Sequence, residues 1–322
     1  MVTVPRDWRP DPGQLALWPE VSGNAINGQG EDAFRRPRHV YWADDPDEIA
    51  HGAVQRWFYG RNADPGFASE RAARAAVQAR PLPEVAPAPM PGTPEEWSAR
   101  IKAQAADLGA EAVGIARVDP DWAYEGRAVG WRFIVVLGIA MDHAALDTAP
   151  EQEAGLEVMR QYTRCAEVAR GLAGWLRARG HAAEPAQGPM SGDMVLIPAA
   201  IAAGLGELGK HGSLIHPELG SCFRLAAVLC DLDMAPDAPR DFGAEGFCAH
   251  CRICADHCPP LAILPEKQTV RGVEKWYVDF DLCLPYFNET AGCGICLAVC
   301  PFSRPGVGEN LVAKLARRPG RR

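Results

Sequence analysis

The chain has 322 residues and a formal charge of −8 at pH 7, enough for one large domain or two smaller ones with their own apolar cores. Net acidity argues against nucleic acid as the main partner, because a phosphate backbone attracts basic proteins. No apolar run approaches the roughly 18 residues of a membrane span, and the N-terminus lacks the apolar segment of a secretory signal. The twin arginine Arg35 and Arg36 is not followed by the apolar stretch of an export signal. We therefore expect a cytoplasmic protein.

Residues 1–94 predict an N-terminal extended arm that ends in a proline-rich linker. The linker, 81–94, contains too much proline for a helix or for the interior of a sheet. The stretch before it mixes prolines and charges without a sustained hydrophobic period, which favours an arm wrapped on a core. Its tryptophans are Trp8, Trp18, Trp42 and Trp57.

Residues 95–240 predict a core in which helices alternate with strands. Thr93 and Glu96 form a capping-box pattern ahead of a helix over 95–108. Apolar residues recur every three or four positions from Leu156 towards Gly180, which predicts a long amphipathic helix. Short runs rich in valine and isoleucine predict buried strands of one sheet over 112–118 and 133–140, with a helix over 197–209 and a strand over 223–232. This order indicates an α/β or α+β fold.

Eight of the eleven cysteines are crowded between Cys248 and Cys300, which favours metal ligation over disulfides in a long chain without a signal peptide. The run FCAHCRICADHCPP has the spacing of a bacterial ferredoxin motif that ends in Cys-Pro, and CGICLAVCPF repeats its last part. In such motifs the cysteine before proline ligates the other cluster. We therefore predict a ferredoxin-like module over 241–304 that binds two 4Fe–4S clusters, followed by a basic tail over 305–322.

The predicted ligands form two sets of four. The first set is Cys248, Cys251, Cys254 and Cys300, and the second is Cys258, Cys283, Cys293 and Cys296. Zinc also binds four cysteines, but zinc ribbons seldom use these spacings with a following proline. The other cysteines stand in helix or strand contexts and are predicted to be buried apolar residues. They are Cys165, Cys222 and Cys230.

Two clusters carry electrons, and the roughly 240 residues before them exceed what a simple electron carrier needs. The segment AGLGELGKHGSLIHPELG is rich in glycine, which lets backbone approach a large flat ligand, although turns use glycine as well. This segment, then RLAAVLCDLDM and the two cysteine runs, resembles the cobalamin-dependent reductive dehalogenases over about 95–302. Epoxyqueuosine reductase shares the architecture.

The resemblance implies an α+β protein, with a nitroreductase-like α/β core that binds cobalamin over 95–240 under the ferredoxin-like module. The motif Asp-x-His-x-x-Gly is missing, which implies base-off cobalamin held by backbone and pocket, not by a histidine ligand. By position in the family pattern, Tyr162 would deliver a proton and Arg224 would assist it. Without the resemblance, Tyr162 reads as a core aromatic.

Further site residues are implied with less specific signals. Tyr286 and Phe287, in the loop region after Cys283, are candidates for the substrate-pocket wall, with packing against the cluster as the equal alternative. The candidate cobalamin contacts are Gly206, Lys210, His211, Gly212, Ser213 and His216.

The resemblance implies reductive dehalogenation of an organohalide, with a halogenated aromatic or phenol as one candidate substrate. An external ferredoxin or flavodoxin with its reductase would supply the electrons in a catabolic role. One alternative is an epoxyqueuosine-reductase-like enzyme acting on tRNA, although Met190 stands where those enzymes use an acidic residue. The other is a dicluster electron-transfer subunit without a corrinoid.

Overall fold

The computed structural model describes residues 8–188 and 192–317. Pro189, Met190 and Ser191, which bear on the epoxyqueuosine reductase alternative, lie outside the described residues. None of the helices in the described ranges is both long and apolar enough to cross a membrane.

The N-terminal segment is helical over much of its length, so the prediction of an extended arm was wrong for residues 52–78. Its helices are α1 (Pro12–Leu15), α2 (Gly23–Asn27), α3 (Gly52–Arg61) and α4 (Pro65–Gln78), with a 3-10 turn at Pro46–Glu48. Asp64 caps α4 by accepting from the N–H of Gly66, and Pro65 fills the first helical position, where its missing N–H costs nothing. The linker 81–93 has neither helix nor strand, as predicted.

The central sheet and its helices follow the predicted order. The capping box of Thr93 and Glu96 is present at the start of α5. The predicted long helix is present as α7, which ends at Arg177, and Gly180 follows it with a φ of +83°. The strands predicted over 112–118, 133–140 and 223–232 are present as β1, β2 and β6. The elements are α5 (Pro94–Asp107), β1 (Ala112–Arg117), β2 (Phe133–Ala140), α6 (His143–Leu146), α7 (Gln152–Arg177), β3 (Ala183–Gln187), α8 (Leu196–Ala202), β4 (Glu207–Leu208), β5 (Leu214–Ile215) and β6 (Phe223–Cys230), with a 3-10 turn at Pro120–Trp122.

The predicted helix over 197–209 is wrong beyond Ala202. Gly204 adopts a φ of +74°, which ends the helix, and the chain then turns into the short hairpin of β4 and β5. A Cβ on Gly206 would lie 2.0 Å from the carbonyl oxygen of Ile215, so hairpin packing explains this glycine.

The four-stranded sheet has the order β1-β2-β6-β3, and all its pairs are antiparallel. An antiparallel sheet with its helices on the faces agrees with the α+β class. Strand β2 is buried on both faces: Phe133 and Val135 pack with α5 and α7, whereas Ile134 and Val136 pack with α8. The pattern of two buried faces explains why β2 is a continuous apolar run.

The C-terminal module consists of short helices around the cysteines and a small hairpin. Its elements are α9 (Ala244–His250), α10 (Ile253–Asp256), β7 (Gln268–Val270), β8 (Val273–Lys275), α11 (Phe280–Glu289), α12 (Ile295–Ala298) and α13 (Gly308–Ala316).

The N-terminal segment contacts this module through buried polar bonds. Tyr41 donates to Asn288 Oδ1 at 2.6 Å, and Asn288 in turn donates to Gln14 at 2.7 Å. Trp8 donates to the Glu289 carboxylate at 2.8 Å. Trp8, Gln14 and Tyr41 therefore help to fix α11, which carries Cys283.

Candidate active site

The first predicted cysteine set lies around one small pocket. Its wall contains the four cysteines together with Lys210, His211, Phe247 and Phe302, and the cysteines are Cys248, Cys251, Cys254 and Cys300. Burial raises the pKa of Cys248 and of Cys254 to about 12, so both thiols stay protonated near neutral pH until iron displaces the protons. The structure thus brings the four predicted ligands of the first set to one pocket.

The second set is also assembled from distant parts of the chain. Burial raises the pKa of the Cys296 thiol well above its usual value, and Cys293, Cys283 and Cys258 lie close enough to raise it further. Burial likewise raises the pKa of Cys283 to about 12. Within the described ranges, no three His, Cys, Asp or Glu side chains are placed to hold a single metal ion.

The backbone near Cys293 is wound left-handed for three successive residues. Gly292, Cys293 and Gly294 have φ values of 91°, 47° and 90°. A non-glycine residue rarely adopts this conformation, and the flanking glycines make the turn accessible. The turn places the Cys293 sulfur beside those of Cys258 and Cys283.

Glu207 positions the helix that carries Cys248, and sequence reasoning missed this residue. Its carboxylate accepts hydrogen bonds from the four successive N–H groups of Phe242, Gly243, Ala244 and Glu245 at 2.9 to 3.2 Å. These donors are otherwise unpaired at the start of α9, and a negative charge there complements the helix dipole.

A cavity of about 790 Å³ lies between the central domain and the C-terminal module. Its volume is in the upper part of the range for small-molecule and cofactor sites, roughly 300–1,000 Å³. Its apolar lining includes Ile197 and Ile201 of α8 and Trp122 of the 3-10 turn at Pro120–Trp122. The lining also contains all four cysteines of the second set, Cys258, Cys283, Cys293 and Cys296. A cofactor in this cavity would lie directly against the second cluster.

Two of the predicted cobalamin contacts line this cavity, namely His211 and Gly212. Lys210 is buried instead against the first cysteine pocket, and its ammonium lies 4.9 Å from the ring centre of Trp276, a cavity residue. Ser213 and His216 do not line the cavity, and Gly206 is accounted for by packing.

Both predicted histidines are used within the fold. The Nδ1 of His211 accepts from the Ser213 N–H at 3.2 Å, so Nε2 carries the proton and lies 3.1 Å from the Ser221 hydroxyl oxygen. His216 Nδ1 accepts from the N–H of Glu218 at 3.1 Å and closes a tight turn. Burial lowers the pKa of each histidine to about 4, so each is neutral near pH 7.

The predicted catalytic pair is brought together. Tyr162 lies on α7, and Arg224 lies on β6 opposite Ile139, on the sheet face that packs against α7. The guanidinium carbon of Arg224 is 5.5 Å from the Tyr162 ring centre. The Nε of Arg224 is buried and has no hydrogen-bond partner among the described residues. Neither side chain lines the 790 Å³ cavity as the described residues delimit it.

Of the two predicted substrate-pocket residues, only Tyr286 lines the cavity formed by the described residues. Tyr286 lines the cavity and packs edge-on against Trp8, with ring centres 5.1 Å apart. Phe287 points into an aromatic cluster, where it stacks on Phe58 at 5.4 Å. Packing against the N-terminal segment accounts for Phe287.

Sequence reasoning also missed Arg74 and Tyr59, which reach the Tyr162 region from the N-terminal segment. Tyr162 lies close enough to both side chains to raise the pKa of Arg74 and that of Tyr59. No local motif marks them, because their position depends on how α3 and α4 dock.

The family model that matches is described as a 4Fe-4S dicluster domain and covers residues 247–303. This match favours iron–sulfur clusters over zinc for the two cysteine sets. Their residues fit such clusters, and the large cavity beside the second set fits a bulky cofactor.

Among curated proteins, the chain is 35% identical over 222 residues to a tetrachloroethene reductive dehalogenase of Desulfitobacterium hafniense, covering 65% of this chain and 39% of that protein. An epoxyqueuosine reductase of Lactococcus garvieae is 31% identical over 130 residues, covering 35% of this chain and 33% of that protein. The chain therefore spans about two fifths of the length of the dehalogenase and a third of the reductase.

Among solved structures, one described as a reductive dehalogenase structure that suggests a mechanism for B12-dependent dehalogenation matches with a TM-score of 0.68 and 28% identity. The match covers 79% of this chain and 38% of that one. The α+β fold with a C-terminal dicluster module is thus shared.

Proposed function

We propose that this chain, a homologue of the reductive dehalogenases, catalyses reductive dehalogenation of an organohalide. In this reaction a carbon–halogen bond is replaced by a carbon–hydrogen bond. Two electrons and one proton are consumed and one halide ion is released. The alternative of an electron carrier without catalysis leaves the pairing of Tyr162 with Arg224 unexplained.

The observation that carries the proposal is this pair, which lies in the same fold as two complete cysteine sets. A phenol is a proton donor, and a guanidinium 5.5 Å from its ring can stabilise the phenolate that remains after transfer or the departing halide. The Nε of Arg224 is buried without a hydrogen-bond partner among the described residues, and leaving a buried donor unpaired is costly, which supports a role in chemistry.

The cofactors proposed are two 4Fe–4S clusters and base-off cobalamin. When bound, the clusters would supply single electrons and cobalamin would supply the reductive cleavage of the carbon–halogen bond. The two cysteine sets would hold the clusters. The cavity with Trp122, Ile201, His211 and Gly212 in its wall would hold the corrinoid. Because both nitrogens of His211 already point at protein groups, we propose that this histidine shapes the cavity without coordinating cobalt.

Tyr286 supports the choice of an aromatic substrate. Its ring forms part of the cavity wall near Cys293 and is held edge-on by Trp8, and aromatic rings favour such contacts with flat ligands. We propose a halogenated aromatic compound as the substrate class. An external ferredoxin or flavodoxin with its reductase is proposed as the electron source.

The test is anaerobic reconstitution with iron, sulfide and cobalamin, followed by metal analysis and release of halide from a panel of halogenated aromatics. Retained cobalt with about eight irons per chain and release of halide would support the proposal. Full iron without retained cobalt would favour an electron-transfer subunit, and turnover of an epoxyqueuosine-containing tRNA stem loop instead of organohalides would favour the tRNA-modifying alternative.

A further inference from the structure

Helix α4 runs alongside α7 in the same direction and brings Arg74 to the level of Tyr162. Near the start of both helices, Gln152 donates to the Asp64 carboxylate at 2.8 Å. Further along, Glu70 pairs with Arg160 at 3.7 Å. Residues four apart lie on one face of a helix. Arg74 therefore follows Glu70 on the face that meets α7.

The Arg74 side chain is buried without a counter-charge from the described residues. The residue is 8% exposed, and its Nη1 has no hydrogen-bond partner among the residues that the structure describes. The neighbouring groups that shift the pKa of Arg74 are Tyr59, Tyr162 and Arg71, and none of them is a carboxylate. Burial lowers the pKa of Arg74, as expected for a cation that nothing compensates.

Arg224 also lies beside Tyr162, with its guanidinium carbon 5.5 Å from the ring centre. Its side chain is half-buried, and its Nε is buried and unpartnered within the described ranges. Two buried guanidinium nitrogens without partners near one phenol, Nη1 of Arg74 and Nε of Arg224, are unfavourable unless an acceptor such as an anion reaches them. Guanidinium groups bind carboxylates and other anions with strong, charge-assisted hydrogen bonds.

We propose that Arg74 and Arg224 form an anion subsite beside Tyr162, for either an anionic group on the substrate or the halide that leaves it. The subsite deepens the proposed function and rests on it for the identity of the ligand. It also gives the N-terminal segment a role in substrate choice, because Arg74 reaches the site only through the docking of α4. Substrates that carry a carboxylate or a phenolate would be preferred over neutral organohalides.

We would first measure equilibrium binding without turnover, by calorimetry on the reconstituted holoprotein. The probes are benzoate, its neutral isostere benzamide, and bromide. The variant is Arg74→Gln. The matched control is Arg71→Gln, which removes a charge from the same helix where the guanidinium already donates to the Asn62 carbonyl at 3.0 Å. Losing a charge-assisted bond should weaken binding at least about tenfold.

If benzoate binding weakens in Arg74→Gln while benzamide binding is unchanged, the subsite serves an anionic group on the substrate. If only bromide binding weakens, the subsite serves the departing halide. Arg71→Gln should stay within about threefold of the wild type, the scatter typical of single-residue contributions. Equal anion affinities in the wild type and in Arg74→Gln would overturn the subsite.

Turnover separates this inference from the proposed function. If the subsite serves an anionic group on the substrate, Arg74→Gln should raise KM for a bromobenzoate at least about tenfold with kcat little changed and leave KM for the corresponding bromobenzamide unchanged. If it serves the departing halide, Arg74→Gln should lower kcat for both compounds. Anion binding that depends on Arg74 without any turnover would support the subsite and contradict the proposed dehalogenation. Turnover of both compounds with no effect of Arg74→Gln would support dehalogenation and contradict the subsite.

Folding of the variant is checked by thermal unfolding, where Arg74→Gln should be at least as stable as the wild type without anion, since an uncompensated buried charge is removed. If Arg74→Gln fails to retain its clusters, the Arg74→Lys variant is used to test the subsite instead. It keeps the charge but loses the planar fork, so benzoate should bind it more weakly than it binds the wild type. Unchanged benzoate binding in Arg74→Lys would then count against the subsite.

Discussion

The guanidinium carbon of Arg224 lies 5.5 Å from the ring centre of Tyr162, although the two residues belong to different elements, β6 and α7. The contact depends on register: Arg224 pairs with Ile139 across the sheet and therefore points to the face that α7 covers. A shift of one residue would turn Arg224 to the other face. The pairing is thus built into the core of the domain.

We expect Tyr162→Phe to lower the rate of halide release by about 10²- to 10⁴-fold, the usual contribution of a positioned proton donor. Iron and cobalt contents should not change, because the hydroxyl touches neither cysteine set. The measurement is single-turnover halide release with metal analysis on the same sample. A rate within threefold of the wild type would show that another group delivers the proton.

The control for this variant is Tyr41→Phe, which removes a phenol hydroxyl at a structural position. Tyr41 donates to the buried Asn288 at 2.6 Å, so its loss should lower the free energy of unfolding by about 1–3 kcal/mol. The rate per folded, cluster-loaded enzyme should stay the same. A chemical defect in Tyr41→Phe equal to that of Tyr162→Phe would mean that both act through stability.

We expect Cys283→Ala to reduce the iron content from about eight to about four per chain, because the second cluster loses one of its ligands. Burial and the neighbouring cysteines raise the pKa of Cys283 to about 12, so it has no role as a free thiolate. Cys165→Ala is the matched control, since Cys165 is fully buried in the domain core, away from both sets. Iron analysis and electron paramagnetic resonance are the measurements. Full iron in Cys283→Ala would exclude Cys283 as a ligand.

The dicluster module was predictable from sequence because the spacing within each cysteine run is a local property of the chain. The same holds for α5, whose capping box Thr93 and Glu96 is complete within four residues. Strands β1 and β2 were recognisable because burial on both faces leaves an uninterrupted apolar run.

The remaining site residues depend on long-range docking. Arg74 becomes part of the site only when α4 packs on α7, and nothing within α4 marks one of its arginines as buried. Glu207 caps a helix that begins 37 residues later, so no capping motif links the two. The helix over 197–209 was overextended because its alanines and leucine continue an apolar pattern, whereas the φ of +74° at Gly204 ends it.

We expect Ile201→Trp to reduce the cobalt retained after reconstitution without reducing the iron content. Ile201 lines the apolar wall of the 790 Å³ cavity, and the larger side chain would fill space that a corrinoid needs. Val85→Trp, at an exposed position of the linker, controls for adding an indole. Cobalt and iron are measured by metal analysis after gel filtration. Undiminished cobalt in Ile201→Trp would place the corrinoid elsewhere.

We expect the stability of the protein to depend on the ionisation of His216. Burial lowers the pKa of His216 to about 4, whereas an unfolded histidine titrates near 6.5. Between these values the unfolded chain binds more protons than the folded one, so stability is complete above about pH 6.5 and is lost as the pH falls towards 4.

The matched variant is His216→Asn. The asparagine side-chain oxygen can accept from the backbone N–H groups of Glu218 and Leu219, as His216 Nδ1 does at 3.1 and 3.2 Å, but it does not titrate. From pH 7 to pH 5 the wild type should lose about 1–2 kcal/mol more unfolding free energy than the variant. Urea unfolding of both proteins at each pH measures this difference, and cluster loss in acid affects both alike. Equal losses of unfolding free energy in the two proteins would show that the pKa of His216 is not lowered in the folded state. Lower cobalt retention in His216→Asn would instead indicate that His216 contributes to the cofactor site.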